Sequence, residues 1–176
     1  MQKTIFTFFL FLSLTAVSHA QSNWVNLLEK NDLSDFQQLN GTAEYQLKNG
    51  ELIGISKLNT PNSFLATKKK YGDFILEFEV WIENDLNSGV QFRSNTKGDS
   101  IQGRVFGYQA EIETSPRKWA GGIYDESRRG WLYPLSRNEL GQNAFKNGSW
   151  NHFRIEAVGK HLRTWVNQIQ CANLVD

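Results

Sequence analysis

The sequence predicts an all-β domain of antiparallel sheets packed as a sandwich, and three observations predict it. Apolar and polar residues alternate with a period of two in segment after segment. Gly- and Asn-rich turn signals separate those segments. No stretch carries a sustained 3.6-residue apolar period, so the helices of an α/β layer have no source.

The chain opens with MQKTIFTFFLFLSLTAVSHA, in which one cation, Lys3, precedes an apolar run and a small-residue end at Ala20. Residues 1–20 read as a secretory signal peptide. No cysteine stands near its end to take a lipid, so a free secreted or periplasmic protein is expected, with no membrane insertion once the signal is cleaved. Residues 21–176 then form a single domain. Residues 23–36 could hold a turn or short helix. Short strands follow at 44–47 (EYQL), 51–55 (ELIGI) and 64–66 (FLA), the first two joined by Asn49-Gly50.

The stretch 73–82, DFILEFEVWI, is the clearest strand, with Phe74, Leu76, Phe78, Val80 and Ile82 in one row. Strands at 90–94 (VQFRS) and 108–113 (YQAEIE) carry the polar residues of interest. Residues 116–141 are rich in Gly, Arg, Trp and Tyr without clean alternation, and read as an aromatic loop forming a binding rim. A short helix could lie within 137–145. Alternation resumes at 153–158, with Arg154 and Glu156 facing away from the apolar row, and at 162–166.

Charge excludes several functions. Of 19 Lys and Arg against 18 Asp and Glu, the signal removes Lys3 alone, which leaves the rest formally neutral. No nucleic-acid partner is expected, since such binding rests on a clustered cationic excess, and Lys68-Lys69-Lys70 reads as a charged sheet edge. Cys171 is the only cysteine, so no internal disulfide can form. No serine or cysteine nucleophile motif occurs, and His152 and His161 lack zinc-ligand spacing. A hard divalent cation held by Asp85, Asn87 or Asp99 has the right donor type but not the spacing of a calcium loop, so the metal is left unassigned.

The stretch GYQAEIETSP places Gln109, Glu111 and Glu113 on one strand face, about 6.5 to 7 Å from one to the next. That spacing suits a carboxylate pair, and equally the wet side of a strand. Should 90–94 lie beside it, Gln91, Arg93, Gln109 and Glu111 make a polar floor for a polyhydroxylated ligand, unless Arg93 and Glu111 are only a cross-strand ion pair. Trp119, Tyr124, Trp131 and Tyr133 are rim aromatics for sugar stacking. Asp125, Glu126, Arg128 and Arg129 are groups for its hydroxyls, and Trp24, Trp81, Trp150 and Trp165 are read as packing residues.

The ordered segments YGDFILEFEVWI, NSGVQFRS, GYQAEIE, GGIYDE and WNHFRIEAVGKHLRTWVNQIQCANLVD resemble the 3-keto-disaccharide hydrolase family, also described as 3-keto-glucoside lyase/hydratase domains. The resemblance covers residues 24–176. It implies a concanavalin-A-like jelly-roll sandwich acting on 3-keto-glycosides by elimination and hydration. It also implies strands beyond Asp176, so that 21–176 would be an incomplete domain with an open edge. A base, an electrophile for an enolate oxygen and a divalent metal are compatible with that chemistry. Within it, Glu111 is the expected base and Arg93 the enolate or hydroxyl contact. Tyr124 or Asp125 is expected on the leaving-group side, with Gln91, Gln109, Glu113, Trp119, Arg128 and Trp131 binding substrate. The alternatives are a lectin-like module using the same face and, last, a laminarinase-like glycosidase, for which Gln109 stands where a first acid is wanted.

Overall fold

Alternation at this density builds sheets with one apolar face each, and two such faces must cover one another. The computed structural model describes residues 24–83, 85–98 and 103–176; the proposed signal peptide, 1–20, and Asp99 lie outside them. One four-stranded antiparallel sheet joins β5 (Phe74–Val80), β10 (Asn151–Val158), β11 (His161–Val166) and β12 (Ile169–Val175), in the order β12-β11-β10-β5. The other joins β6 (Asn87–Lys97), β7 (Arg104–Glu113), β8 (Ile123–Glu126) and β9 (Gly130–Tyr133), in the order β6-β7-β8-β9. β1 (Phe36–Leu39) pairs with β4 (Phe64–Thr67), and β2 (Glu44–Lys48) forms a hairpin with β3 (Glu51–Ile55). The domain is an all-β jelly-roll sandwich, as the alternation and the family resemblance require.

The two four-stranded sheets meet through their apolar rows. Phe92, Ala110 and Ile123 of one pack against Ile155, Ala157, Leu162 and Ala172 of the other, and Phe153, Val166 and Cys171 extend the core with Ile112 and Leu135. Phe78 stacks on Phe153 with centroids 5.4 Å apart, and Phe92 on Tyr108 at 5.6 Å. Cys171 is buried there, which pushes its thiol up to about 12 and leaves it a packing residue. Ahead of Phe92, Asn40 alone is buried among the described residues, so the dry core belongs to the segment from β6 onward.

Strands β8 and β9 lie where the sequence reads as an aromatic loop. Each is four residues long, and a register shift between Ile123 and Tyr124 breaks the alternation that would have marked them. The strand β12 also escapes the pattern. Its hairpin turn uses Asn167 and Gln168, both at positive φ, without the glycine that usually announces such a turn. Within 137–145 the helix is confined to α1 (Glu139–Gln142), with Asn138 accepting from the Gly141 N–H at 3.0 Å. Residues 23–36 hold turns rather than a helix in their described part.

One buried hydroxyl ties the sheets together. Beside the bulge between Thr164 and Trp165, Thr164 Oγ1 accepts the Ala172 N–H at 3.0 Å. The same hydroxyl donates to the Gly121 carbonyl of the opposite layer at 2.5 Å. Gly121 sits at φ 90°, and a Cβ there would stand 2.8 Å from the Cys171 side chain. Thr164→Val keeps the shape but removes both of these buried hydrogen bonds. It should lower unfolding free energy by about 1–3 kcal/mol in urea denaturation, with an unchanged m-value.

Candidate functional site

The outward face of β7 is framed by three cross-strand rows. Asn87 lies opposite Glu113, Gly89 opposite Glu111, and Gln91 opposite Gln109; the last row continues through Tyr124 to Trp131. A wet strand face would leave the two carboxylates in solvent. Instead Glu111 and Glu113 are each 3% exposed. The segment after β7 folds back over them, and the Arg117 guanidinium lies 5.1 Å from the Trp119 ring and 5.0 Å from Trp131. Trp131 in turn meets Trp119 edge-on at 4.8 Å and Tyr124 at 5.1 Å.

The two glutamates differ in how they are satisfied. Glu113 accepts Arg117 Nε at both oxygens (3.0 and 2.8 Å), the Trp119 N–H at 2.8 Å and Ser115 Oγ at 2.9 Å. Glu111 accepts Asn87 Nδ2 at 2.5 Å and Gln109 Nε2 at 3.2 Å, with Arg117 Nη2 farther off at 3.4 Å. Gln109 is oriented by Gln91, whose Nε2 donates to it at 2.9 Å, and Gln91 accepts Ser94 Oγ at 2.7 Å. The amide dipoles thus run in one direction and end on Glu111. Burial pushes the Glu111 carboxyl above its ordinary range, against the opposing pull of the Asn87 and Gln109 hydrogen bonds.

Small residues make room for this floor. A Cβ at Gly89 would lie 2.6 Å from Gln109 Cδ, and one at Gly122 would lie 3.1 Å from the Trp131 ring. The backbone of Glu111 is held on both sides. Its N–H donates to Gly122 at 3.0 Å, and its carbonyl accepts the Gly121 N–H at 2.8 Å.

The structure corrects several expected placements. Arg93 lies in the bulged stretch of β6, between Phe92 and Asn95, with φ at 47°, and is aimed away from the floor. It donates to the Gly159 carbonyl at 2.5 Å and to Asp73 at 2.8 Å, and so does not join Glu111 on the floor. Asp125 faces the core opposite Tyr108, fully buried, and accepts Arg128 Nε at 2.7 Å and Arg129 Nε at 2.5 Å. Arg128 lies over the Tyr108 ring, on that same far face, and is no substrate group of this floor. Arg129 forks onto Asp176, whose carboxyl is held well below the usual range.

Glu113, expected to bind substrate, is buried with its oxygens occupied by protein donors. Tyr133 packs into the core, and Glu126 is taken up by Ser127. Trp24, Trp81 and Trp150, read as packing residues, stand well into solvent, and Trp165 lies beneath the Arg154 and Arg163 guanidinium groups. Gln91, Gln109, Glu111, Tyr124, Trp119 and Trp131 do come together. Sequence reasoning missed Arg117 and Asn87 as neighbours of Glu111. The spacing of Arg117, four residues after Glu113, was a usable signal.

Among the described residues, no three His, Cys, Asp or Glu side chains gather as a metal site requires. Asn87, offered as a cation ligand, donates to Glu111 instead, and a guanidinium already faces the buried carboxylates. That donor set does not fit a hard dication. No helix among the described residues is long and apolar enough to cross a membrane.

A family model described as the 3-keto-alpha-glucoside-1,2-lyase-like domain matches residues 23–176, and the chain belongs to that family. The family is linked to lyase and hydrolase action on glycosides, and so to a carbohydrate substrate. No curated protein matches the chain.

A buried carboxyl with a raised pKa has a defined effect on stability. Below the unfolded-state value both states are protonated and nothing is lost; as pH rises through the folded value, the unfolded chain ionises first and stability falls. Glu111→Gln should therefore be more stable than the parent at pH 7.5, with the gain shrinking toward pH 4. Urea denaturation at the two pH values checks this.

Proposed function

We propose that the floor of β6 to β9 cleaves 3-keto-glycosides, with Glu111 as the base. A ketone at C3 makes the C2 proton acidic, because the electron pair left behind delocalises into the carbonyl as an enolate. Glu111 takes that proton. The enolate then collapses to a C1=C2 double bond and expels the C1 oxygen of the aglycone, which is protonated as it leaves. Water returns hydroxide to C1 and a proton to C2, so the net reaction is hydrolysis without an oxocarbenium ion.

The single observation that carries this reading is the state of Glu111. It is buried, pushed toward the pH range where a base can be both ionised and effective, and set at the end of an aligned amide chain. Arg117, in place of Arg93, is the cation beside it and the group for the developing enolate oxygen. The row Gln91, Gln109, Tyr124 and Trp131 pairs amide donors and acceptors with aromatic faces, which suits a pyranose ring. Tyr124 in that row serves the leaving-group side. The signal-like leader supports action outside the cytoplasm.

Incubation with a 3-keto-disaccharide should release the free 3-keto sugar, with the 2-hydroxy-glucal as intermediate, followed by mass spectrometry. Glu111→Gln should lower kcat by about 10²- to 10⁴-fold while the fold persists, whereas Trp131→Ala should act mainly on KM. Wild-type kcat in the Gln variant would end the assignment. One observation favours a second reading, a lectin-like module: Glu111 is nearly covered by its neighbours. Glycan binding without turnover of any 3-keto-glycoside would select it.

A further inference from the structure

Glu113 has no place in the chemistry above, yet it is as deeply buried as Glu111 and accepts more hydrogen bonds. A buried carboxylate with every oxygen served by protein donors is unsuited to meet substrate. Its partners indicate another role. All three, Ser115, Arg117 and the Trp119 N–H, lie on the segment that folds back over the floor. Within it, Arg117 spends Nε on Glu113, points Nη2 at Glu111 from 3.4 Å and lies against two indole rings.

We propose that Glu113 is a positioning residue: it tethers and neutralises Arg117 across the Glu111 carboxylate, so that Glu111 remains a proton carrier rather than one half of a closed ion pair. This rests on the reading of Glu111 as the base. The groups that face Glu111 are few: Asn87 from β6, Gln109 and Glu113 from β7, and Arg117 from the returning segment. Gly122, its neighbour from β8, brings no side chain. The two charges in this set, Glu113 and Arg117, bear on Glu111 with opposite sign. Removing Glu113 leaves Arg117 uncompensated and free to close on Glu111. Removing Arg117 leaves Glu111 beside a second carboxylate.

The experiment is a pH titration of the Glu111 side-chain carbon by NMR in the parent, Glu113→Gln, Arg117→Gln and the double variant, beside the pH profile of kcat on a 3-keto-disaccharide. Gln at 113 keeps an acceptor for the Trp119 N–H. The Glu111 titration should move down by about one pH unit in Glu113→Gln and up by about as much in Arg117→Gln. The acid limb of the activity profile should follow. Should Glu113→Gln fail to fold, the double variant, which removes both members of the Glu113–Arg117 pair, still decides: its titration should fall below that of Arg117→Gln alone by well under one pH unit, because Glu113 then has no Arg117 to hold.

A Glu113→Gln titration equal to the parent, a shift in the same direction as Arg117→Gln, or a double variant that falls a full pH unit below Arg117→Gln, which is direct repulsion with no tether, overturns the proposal. The NMR arm needs no turnover. Opposed shifts in a protein inactive on every 3-keto-glycoside would refute the catalytic reading and leave the tether standing.

Discussion

Strand β7 has two dry faces, and the rest of the molecule follows from that constraint. On one side Ala110 and Ile112 enter the sandwich core; on the other Glu111 and Glu113 are covered by Arg117 and the rings of Trp119 and Trp131. Carboxylates taken out of water are costly unless every lone pair is met. Each feature around them meets that requirement: the aligned amides of Gln91 and Gln109, the Asn87 side chain, the Trp119 N–H and the guanidinium.

The core and the floor are joined through a short polar path. Thr164, buried in the opposite sheet, holds the carbonyl of Gly121, and Gly121 with Gly122 holds the backbone of Glu111 from both sides. Such a path places the carboxylate on a rigid element rather than on a mobile loop, which is what the proposed role of base requires. The segment that caps it is fastened separately, by Glu113. Fixed floor and fastened cap are therefore two mechanical systems meeting at one carboxylate.

The ion pairs of the far face stand in contrast. Arg128 and Arg129 close on Asp125, and Arg129 reaches Asp176, which ties the β8–β9 hairpin to the end of β12. Arg93 ties the corner of β6 to Asp73 and Gly159. These cations look like ligand-binding groups when read from the chain alone. Arg128 and Arg129 act as fasteners from the tight turn between β8 and β9, and Arg93 from a bulge, where one irregular residue reverses the face on which a side chain appears.

What the sequence determined by itself was the sandwich, its longest strands and the family, since period-two alternation and ordered motifs need no tertiary information to be read. It also brought Gln91, Gln109, Glu111, Tyr124, Trp119 and Trp131 into view, because each stands on a regular strand row or a marked aromatic loop. Only the tertiary structure decided which face was wet, where Arg93, Asp125 and Arg128 point, and that Arg117 is the cation beside Glu111. Those outcomes turn on bulges, on four-residue strands and on a segment folding back across a sheet. A one-dimensional period records which residues share a face, and it holds no information on what comes to cover that face.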